Sequence, residues 1–281
     1  YQESAENLIT ANNIKLRINK SEANLLIDKT KKLKISSDNY ERNNQEFKNY
    51  PMSIFIVGLP RCGSTLIESI ISLNSKVRDL GEVNILEKSY REYKQSEKQI
   101  NLCEIYWEKL GIIDNKTTTT NKWLFNYQYA GIIAKAIPNA KIIHCYRNPL
   151  DNILSIYRAH FSTGNIFSSS LVDTAQVYIN QEEIMDIYKK EFRSYIYDLN
   201  YDDLVTNPLK EIKSLINWLQ WEWNDNYLSP HLNQRSVFTR SNVEIRSPIN
   251  SKSVGGWENY KDMLKPAIEV LSKDDRYKNL I

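Results

Sequence analysis

The stretch Ser53-Ile54-Phe55-Ile56-Val57-Gly58-Leu59-Pro60-Arg61-Cys62-Gly63-Ser64-Thr65 reads as a buried strand, a tight loop and the start of a helix. Ile54 to Val57 is a short β-branched and aromatic run without polar alternation, the pattern of a parallel strand covered on both faces. Beyond the loop, Leu66, Ile67, Ile70 and Ile71 recur at helical spacing. Between strand and helix, Gly58 and Gly63 let backbone N–H groups curl around an anion, and the helix N-terminus adds roughly half a positive charge. The spacing from Gly58 to Gly63 and Thr65 is that of the nucleotide phosphate loop, with Ser64 where that loop has its lysine. The positive side chain appears instead as Arg61. The phosphate-loop lysine serves the terminal phosphates of a nucleoside triphosphate beside magnesium. Without it, a single 5'-phosphate and its attached group fit better than ATP or GTP.

Working outward, Tyr127 to Ile137 has helical spacing, Lys141 to Tyr146 is a second buried strand, and Asn148-Pro149 supplies an N-cap and a first-turn proline. Leu150, Ile153, Leu154, Tyr157 and Phe161 follow on one helical face. Tyr195 to Leu199 reads as a third strand, and the segment after Pro208 as a helix. Alternating strands and helices predict an α/β fold, a doubly wound parallel sheet whose ligands sit beyond the carboxyl ends of the strands. Residues 1–50, polar and rich in lysine and asparagine, read as one or two helices and a linker packed on a main domain spanning 51–281.

The 281 residues are 41% hydrophobic and 25% charged, a globular balance, and 37 basic against 34 acidic residues leave a net charge of +3. Such a balance carries no polyanion-binding excess, so nucleic acid is not an expected partner. Cys62, Cys103 and Cys145 have neither the number nor the spacing of a disulfide framework or zinc site. No apolar run reaches the roughly 20 residues of a membrane span, and no secretory leader stands out. These readings lead us to expect a reducing, cytoplasmic setting. The three histidines form no metal spacing, and His144, in a buried strand, reads as a satisfied core residue.

A second anion site follows the second strand. Arg147 closes that strand and Ser155 lies just over two helical turns on, so a planar guanidinium and a hydroxyl can meet one phosphate. Two separated phosphate sites suggest a nucleotide phosphorylated at both ends. With these motifs in this order, the sequence from Ile54 to Tyr260 resembles the sulfotransferases that use 3'-phosphoadenosine 5'-phosphosulfate (PAPS). It looks closest to bacterial sulfotransferase domains found after tetratricopeptide repeats, relatives of the tyrosylprotein sulfotransferases.

The resemblance implies roles residue by residue. Ile54 to Leu66 looks like the 5'-phosphosulfate loop, placing Arg61, Cys62, Gly63, Ser64 and Thr65 on the donor. Lys141 to Ser155 looks like the 3'-phosphate motif, with Arg147 and Ser155 as its contacts. Gly81-Glu82 looks like the Gly-Glu element whose glutamate is the catalytic base. Asn121-Lys122-Trp123 resembles the Asp-Lys element whose lysine assists at the sulfuryl group. Tyr201-Asp202-Asp203-Leu204 resembles the element whose tyrosine packs near the adenine. Arg240-Ser241 and Ser253 to Trp257 occupy the late segment that closes over the nucleotide. Gly256 stands where relatives carry arginine or lysine, so either a 3'-phosphate contact is absent there or Lys252 substitutes for it.

The expected reaction is transfer of a sulfuryl group from PAPS to a hydroxyl acceptor, a small molecule or a peptide tyrosine, releasing PAP. Glu82 would take the proton as the S–O bond forms, because a carboxylate alone is a far weaker base than a phenolate. Arg61 and Lys122 would balance the developing charge, which makes a metal unnecessary. Two other readings stay open at this stage. A divergent P-loop kinase or NTPase would need a lysine after Gly63 and an aspartate such as Asp198 for magnesium. A silent nucleotide-binding module would bind without turnover. A homodimer is compatible with the sequence.

Overall fold

The computed structural model describes residues 1–41, 50–96, 101–111, 117–161, 165–233 and 246–279. The chain opens with α1 (Gln2–Ile18) and α2 (Ala23–Asp38), followed by β1 (Ser53–Gly58), α3 (Ser64–Ile71), β2 (Val77–Asp79), α4 (Ile85–Gln95), α5 (Leu102–Leu110) and β3 (Thr118–Asn121). A 3-10 turn at Leu124–Tyr129 leads to α6 (Ala130–Ala136), then β4 (Ala140–Tyr146), α7 (Pro149–Arg158) and α8 (Leu171–Glu191). After β5 (Ile196–Asn200) come α9 (Tyr201–Thr206), α10 (Pro208–Trp218) and α11 (Lys261–Leu271).

The strands form one parallel sheet in the order β2-β3-β1-β4-β5. β1 lies at its centre and is buried along its whole length. Its alternating side chains face two cores. Phe55 and Val57 join the layer containing Tyr106, Ile153, Met185 and Leu264, while Ile54 and Ile56 join Ile67, Ile70, Ile212, Leu215 and Ile216. Such two-sided burial is why β1 reads as a continuous apolar run. The sheet is the doubly wound α/β arrangement expected from the sequence.

Two strands carry little of that signal. β3 is Thr-Thr-Thr-Asn, yet Thr119, Thr120 and Asn121 are fully buried. Their hydroxyls are satisfied internally: Thr119 Oγ1 donates to Ser53 Oγ at 3.1 Å, and Thr120 Oγ1 donates to Glu68 Oε1 at 3.2 Å. β2, at the sheet edge, is only three residues long. The predicted helix from Tyr127 also differs, because its first residues complete the 3-10 turn before α6 begins.

α2 joins the larger core through Ala23 and Leu33, and Ala5 and Leu8 of α1 pack against it. Polar contacts fix them to the body: Asn12 Nδ2 donates to the Tyr157 carbonyl at 3.0 Å, and Gln128 Nε2 donates to Thr30 Oγ1 at 2.9 Å.

His144 sits fully buried in β4 with Asp198 Oδ1 2.7 Å from Nδ1 and Glu182 Oε1 3.3 Å from Nε2. Burial alone would lower its pKa, but the Glu182 and Asp198 carboxylates outweigh that and lift it to about 9. Asp198 is thereby committed to His144 and to Lys189, whose Nζ lies 3.1 Å away, and the magnesium-binding role considered from sequence loses its candidate. A raised histidine pKa stabilises the fold fully below its ordinary value of 6.5, and the contribution is lost as pH rises through about 9. At most about 3 kcal/mol is involved. Thermal midpoints are therefore expected to fall between pH 6.5 and 9, and in His144→Gln to start lower and stay flat across that window. A wild-type midpoint that is constant there would contradict the charged triad.

Candidate active site at the carboxyl edge of the sheet

Every strand ends in a residue singled out from sequence. Along the sheet from β2 to β5, the carboxyl ends lead to Glu82, to Lys122, to the loop before α3, to Arg147 and to Tyr201. The sheet order thus puts Glu82 and Lys122 on one side of the loop and Arg147 and Tyr201 on the other.

The loop is held by backbone geometry that its glycines permit. At Gly58, φ is +149°, and a Cβ there would meet the Cys145 carbonyl oxygen at 2.3 Å. Gly63 caps α3 with φ +97°, and a Cβ there would sit 2.2 Å from the Tyr201 ring. Arg61 is left-handed at φ +69° despite its side chain, a conformation that costs of order 1 kcal/mol and clusters at ligand sites. Its neighbours hold it there. Asn152 Nδ2 donates to the Pro60 carbonyl at 2.9 Å, and Arg61 Nε donates to Ser155 Oγ at 3.1 Å. That last bond joins the two sequence motifs directly. Cys62, Ser64 and Thr65 are buried, and the Cys62 thiol packs near Gly58 rather than facing the site.

Across the loop, Arg147 is nearly buried, at 6% exposure. Its Nη2 donates to the Ser253 carbonyl at 2.7 Å and its guanidinium stacks 4.8 Å over the Tyr201 ring. Its Nε makes no hydrogen bond among the described residues. Tyr201 bonds Ser253 through their hydroxyls at 2.9 Å. Asp202 Oδ2 accepts from the Asn148 N–H at 2.6 Å, and its burial raises its pKa. Arg147 and Tyr201 line a cavity of about 770 Å³ together with Arg61, Gly63, Thr65, Ser155 and Lys252. Leu66, Leu154 and Val205 supply apolar wall.

Glu82 and Lys122 form an ion pair of 2.6 Å, and they flank the cavity rather than lining it. The asymmetry matters: Lys122 is 1% exposed while Glu82 is 49% exposed. An ammonium buried to this extent is held by its partner and its mounting. Lys122 is therefore no solvated loop residue. Its backbone N–H donates to the Gly81 carbonyl at 2.9 Å, tying the β2 and β3 ends together. Asn121 Oδ1 accepts from Trp123 N and Asn126 Nδ2, both at 3.1 Å, and so fixes the turn carrying Lys122. The acceptor oxygen is what this turn uses, which an asparagine provides as an aspartate would.

Ser241 lies outside the described residues. Two charged residues lining the cavity were missed from sequence. Arg158 faces the cavity three residues after Ser155, on the same helical face, and stacks 5.7 Å from the Tyr260 ring. Asp151, on that face too, lies between Arg147 and Ser155. Helical spacing from Arg147 through Asp151 and Ser155 to Arg158 was the available signal. Arg158 and Lys252 line the same cavity as Gly256.

A parallel α/β sheet with a phosphate-type loop after its central strand, cations on both sides and an acid–lysine pair beside it is an α/β fold of the P-loop nucleotide-binding type. The profile of the Sulfotransferase family matches residues 51–225, and the chain belongs to that family. An Aquifex aeolicus protein is 30% identical over 244 residues, covering 78% of this chain and 32% of that protein. Protein-tyrosine sulfotransferase 1 of Danio rerio is 22% identical over 239 residues, covering 75% of this chain and 66% of the enzyme. The chain thus spans about a third of the first relative and just under two thirds of the second. In fold, it matches the sulfotransferase domain of the curacin biosynthetic pathway with a TM-score of 0.58 at 16% identity, over 80% of this chain and 98% of that domain. The sulfotransferase domain of the Synechococcus PCC 7002 olefin synthase matches with a TM-score of 0.55 at 15% identity, over 84% and 99%.

Proposed function

We propose that this chain transfers a sulfuryl group from PAPS to a hydroxyl acceptor, leaving PAP and a sulfate ester. The observation that carries the reading is the row of groups along the strand ends. It sets an acid–lysine pair on one side of a lysine-free phosphate loop and, on the other, a cavity that joins Arg147, Arg158 and Lys252 to the loop's own Arg61. The cavity suits a nucleotide phosphorylated at both ends. The loop N–H groups and Arg61 would hold the 5' end. Arg147, whose nearly buried Nε has no hydrogen bond among the described residues and Asp202 Oδ1 4.0 Å away, would hold the 3'-phosphate with Ser155, Arg158 and Lys252. Tyr201 offers a ring already stacked on a guanidinium, a surface for a purine.

PAPS, when bound, supplies the sulfuryl group on a phosphate leaving group. The chain supplies the rest. Glu82, half-exposed, can reach an incoming acceptor and take its hydroxyl proton, while Lys122 stays buried and offers its N–H groups to the departing oxygen. Their contact, at 2.6 Å, holds Glu82 in place before the acceptor arrives. The catalytic unit proposed is 51–281, with 1–50 as a packed helical segment. Hydroxyl acceptors of small-molecule or peptide kind both fit, and the similarity to a protein-tyrosine sulfotransferase favours a tyrosyl hydroxyl. A cytoplasmic setting is part of the proposal; no described helix is long and apolar enough to cross a membrane.

Calorimetry with PAP, with ATP plus magnesium as control, tests the donor. Wild type is expected to bind PAP at micromolar concentration and more tightly than ATP. Arg147→Ala, folded by circular dichroism, is expected to lose affinity at least about a hundredfold, the size of a lost charge-assisted phosphate contact. Binding of magnesium-ATP without PAP would return the loop to the kinase reading.

A further inference from the structure

A carboxylate in an anion cavity needs a reason. Asp151 is 3% exposed, lines the cavity proposed for the nucleotide, and has Oδ2 3.8 Å from Arg147 Nη2. Its negative charge there opposes the binding of any phosphate that Arg147 attracts. As a helix-start acid it has a bland use, since it lies in the first turn of α7. That use needs no particular partner for either oxygen, yet both are taken. Oδ2 accepts from the Gly255 N–H at 2.7 Å and Oδ1 accepts from the Trp257 N–H at 2.9 Å. The donors belong to the segment 247–257, whose Ser247 to Asn250 and Lys252, Ser253 and Gly256 wall the cavity on its far side.

We propose that Asp151 is a positioning residue that latches the 247–257 segment across the nucleotide cavity, through its paired bonds to the Gly255 and Trp257 N–H groups. The inference rests on the nucleotide reading for its purpose and on the hydrogen bonds for its substance. The latch fixes three things at once. Ser253, two residues before Gly255, is held where its carbonyl meets Arg147 and its hydroxyl meets Tyr201. Lys252 is carried to the cavity wall. Gly255 adopts φ +75°, so the chain turns sharply enough for both N–H groups to point at one carboxylate. A fully accepting carboxylate is needed because two donors arrive. An asparagine offers one acceptor oxygen and turns its NH2 toward the other N–H.

The sign of the Asp151→Asn effect decides the matter. An acid that is only a neighbour of Arg147, or only a helix-start charge, repels the nucleotide; neutralising it should tighten PAP binding. A latch predicts the opposite: PAP affinity falls about tenfold, the scale of one lost charge-assisted hydrogen bond. The Michaelis constant for PAPS should rise with it, and kcat should change little, because Glu82 and Lys122 lie across the loop. Amide hydrogen exchange gives a readout that needs no nucleotide. In the unmodified chain the Gly255 and Trp257 amides are expected to be protected, and in Asp151→Asn their exchange should rise at least about tenfold while the α7 amides stay slow. Fast exchange at both amides in the unmodified chain overturns the latch even if the variant fails to fold. Tighter PAP binding with unchanged exchange in the variant overturns it as well. If wild type binds no PAP but the variant still frees these two amides, the latch stands and the nucleotide reading fails.

Discussion

Glu82→Gln is expected to lower turnover about a thousandfold, within the range of a lost general base, while PAP affinity stays within about threefold of wild type. The substitution keeps the size of the side chain and removes only its capacity to take a proton. PAP binding should survive because Glu82 lies outside the cavity lining. The partner residue makes the test sharper. Lys122→Met removes the buried ammonium and leaves Glu82 to solvent, a tolerable change for a side chain that is half-exposed. Its turnover should fall by about a hundredfold or more, as for a lost oxyanion-type donor. If the ion pair works as one unit, the double variant will be only slightly slower than the worse single one. Release of PAP from PAPS in the presence of a phenolic or tyrosyl-peptide acceptor reads all three. A Glu82→Gln enzyme within about tenfold of wild type would remove Glu82 from the chemistry. Strictly multiplicative losses would leave both residues active but independent.

How much of this was legible beforehand follows from how each element hides its polarity. β1 and β4 announce themselves because both of their faces meet apolar layers, so most positions are Ile, Val, Phe or a near relative. The phosphate loop announces itself because its glycines are demanded by the Cys145 carbonyl and the Tyr201 ring. β3 does not. Three threonines and an asparagine look like a turn until Ser53, Glu68 and Asn126 are seen to receive or supply their hydrogen bonds, and the first two of those partners are distant in sequence. The same concealment affected Lys122, whose burial follows from its place at the end of that strand. β2 is too short for any periodicity. Among the site residues, Arg61, Arg147 and Tyr201 line one cavity, and the Arg61–Ser155 bond ties both motifs. Arg158 and Asp151 were readable as neighbours of Ser155 on one helical face, the face already carrying the second anion motif. The bonds from Asp151 to Gly255 and Trp257 span more than a hundred residues, and no local pattern reports a contact of that kind.

Gly63→Ala should cost the protein both stability and its nucleotide site. The backbone there has φ +97°, beyond the usual left-handed range of an L-residue. Its Cβ would lie 2.2 Å from Tyr201 Cδ2 and 2.9 Å from Cε2 and Cγ. Real contacts of this kind do not occur, so the ring or the loop has to move. Tyr201 is not free to yield: its hydroxyl meets Ser253 at 2.9 Å and its face carries the Arg147 guanidinium at 4.8 Å. Displacing the ring therefore undoes the stack on Arg147 and the anchor of the 247–257 segment together. The expected result is a loss of about 2–4 kcal/mol in stability, the sum of backbone strain and overpacking. PAP affinity should fall by at least about a hundredfold. Gly111→Ala is the matched control. It ends α5 with φ +61° and a Cβ there meets nothing within 4 Å among the described residues, so it carries the backbone penalty without a described clash. Its cost should be about 1 kcal/mol, with PAP binding unchanged. Denaturant melts and PAP calorimetry on the two variants separate the contributions. Equal losses of stability with intact binding in both would mean that the ring moves freely, and that Tyr201 is not the shelf on which the nucleotide site is built.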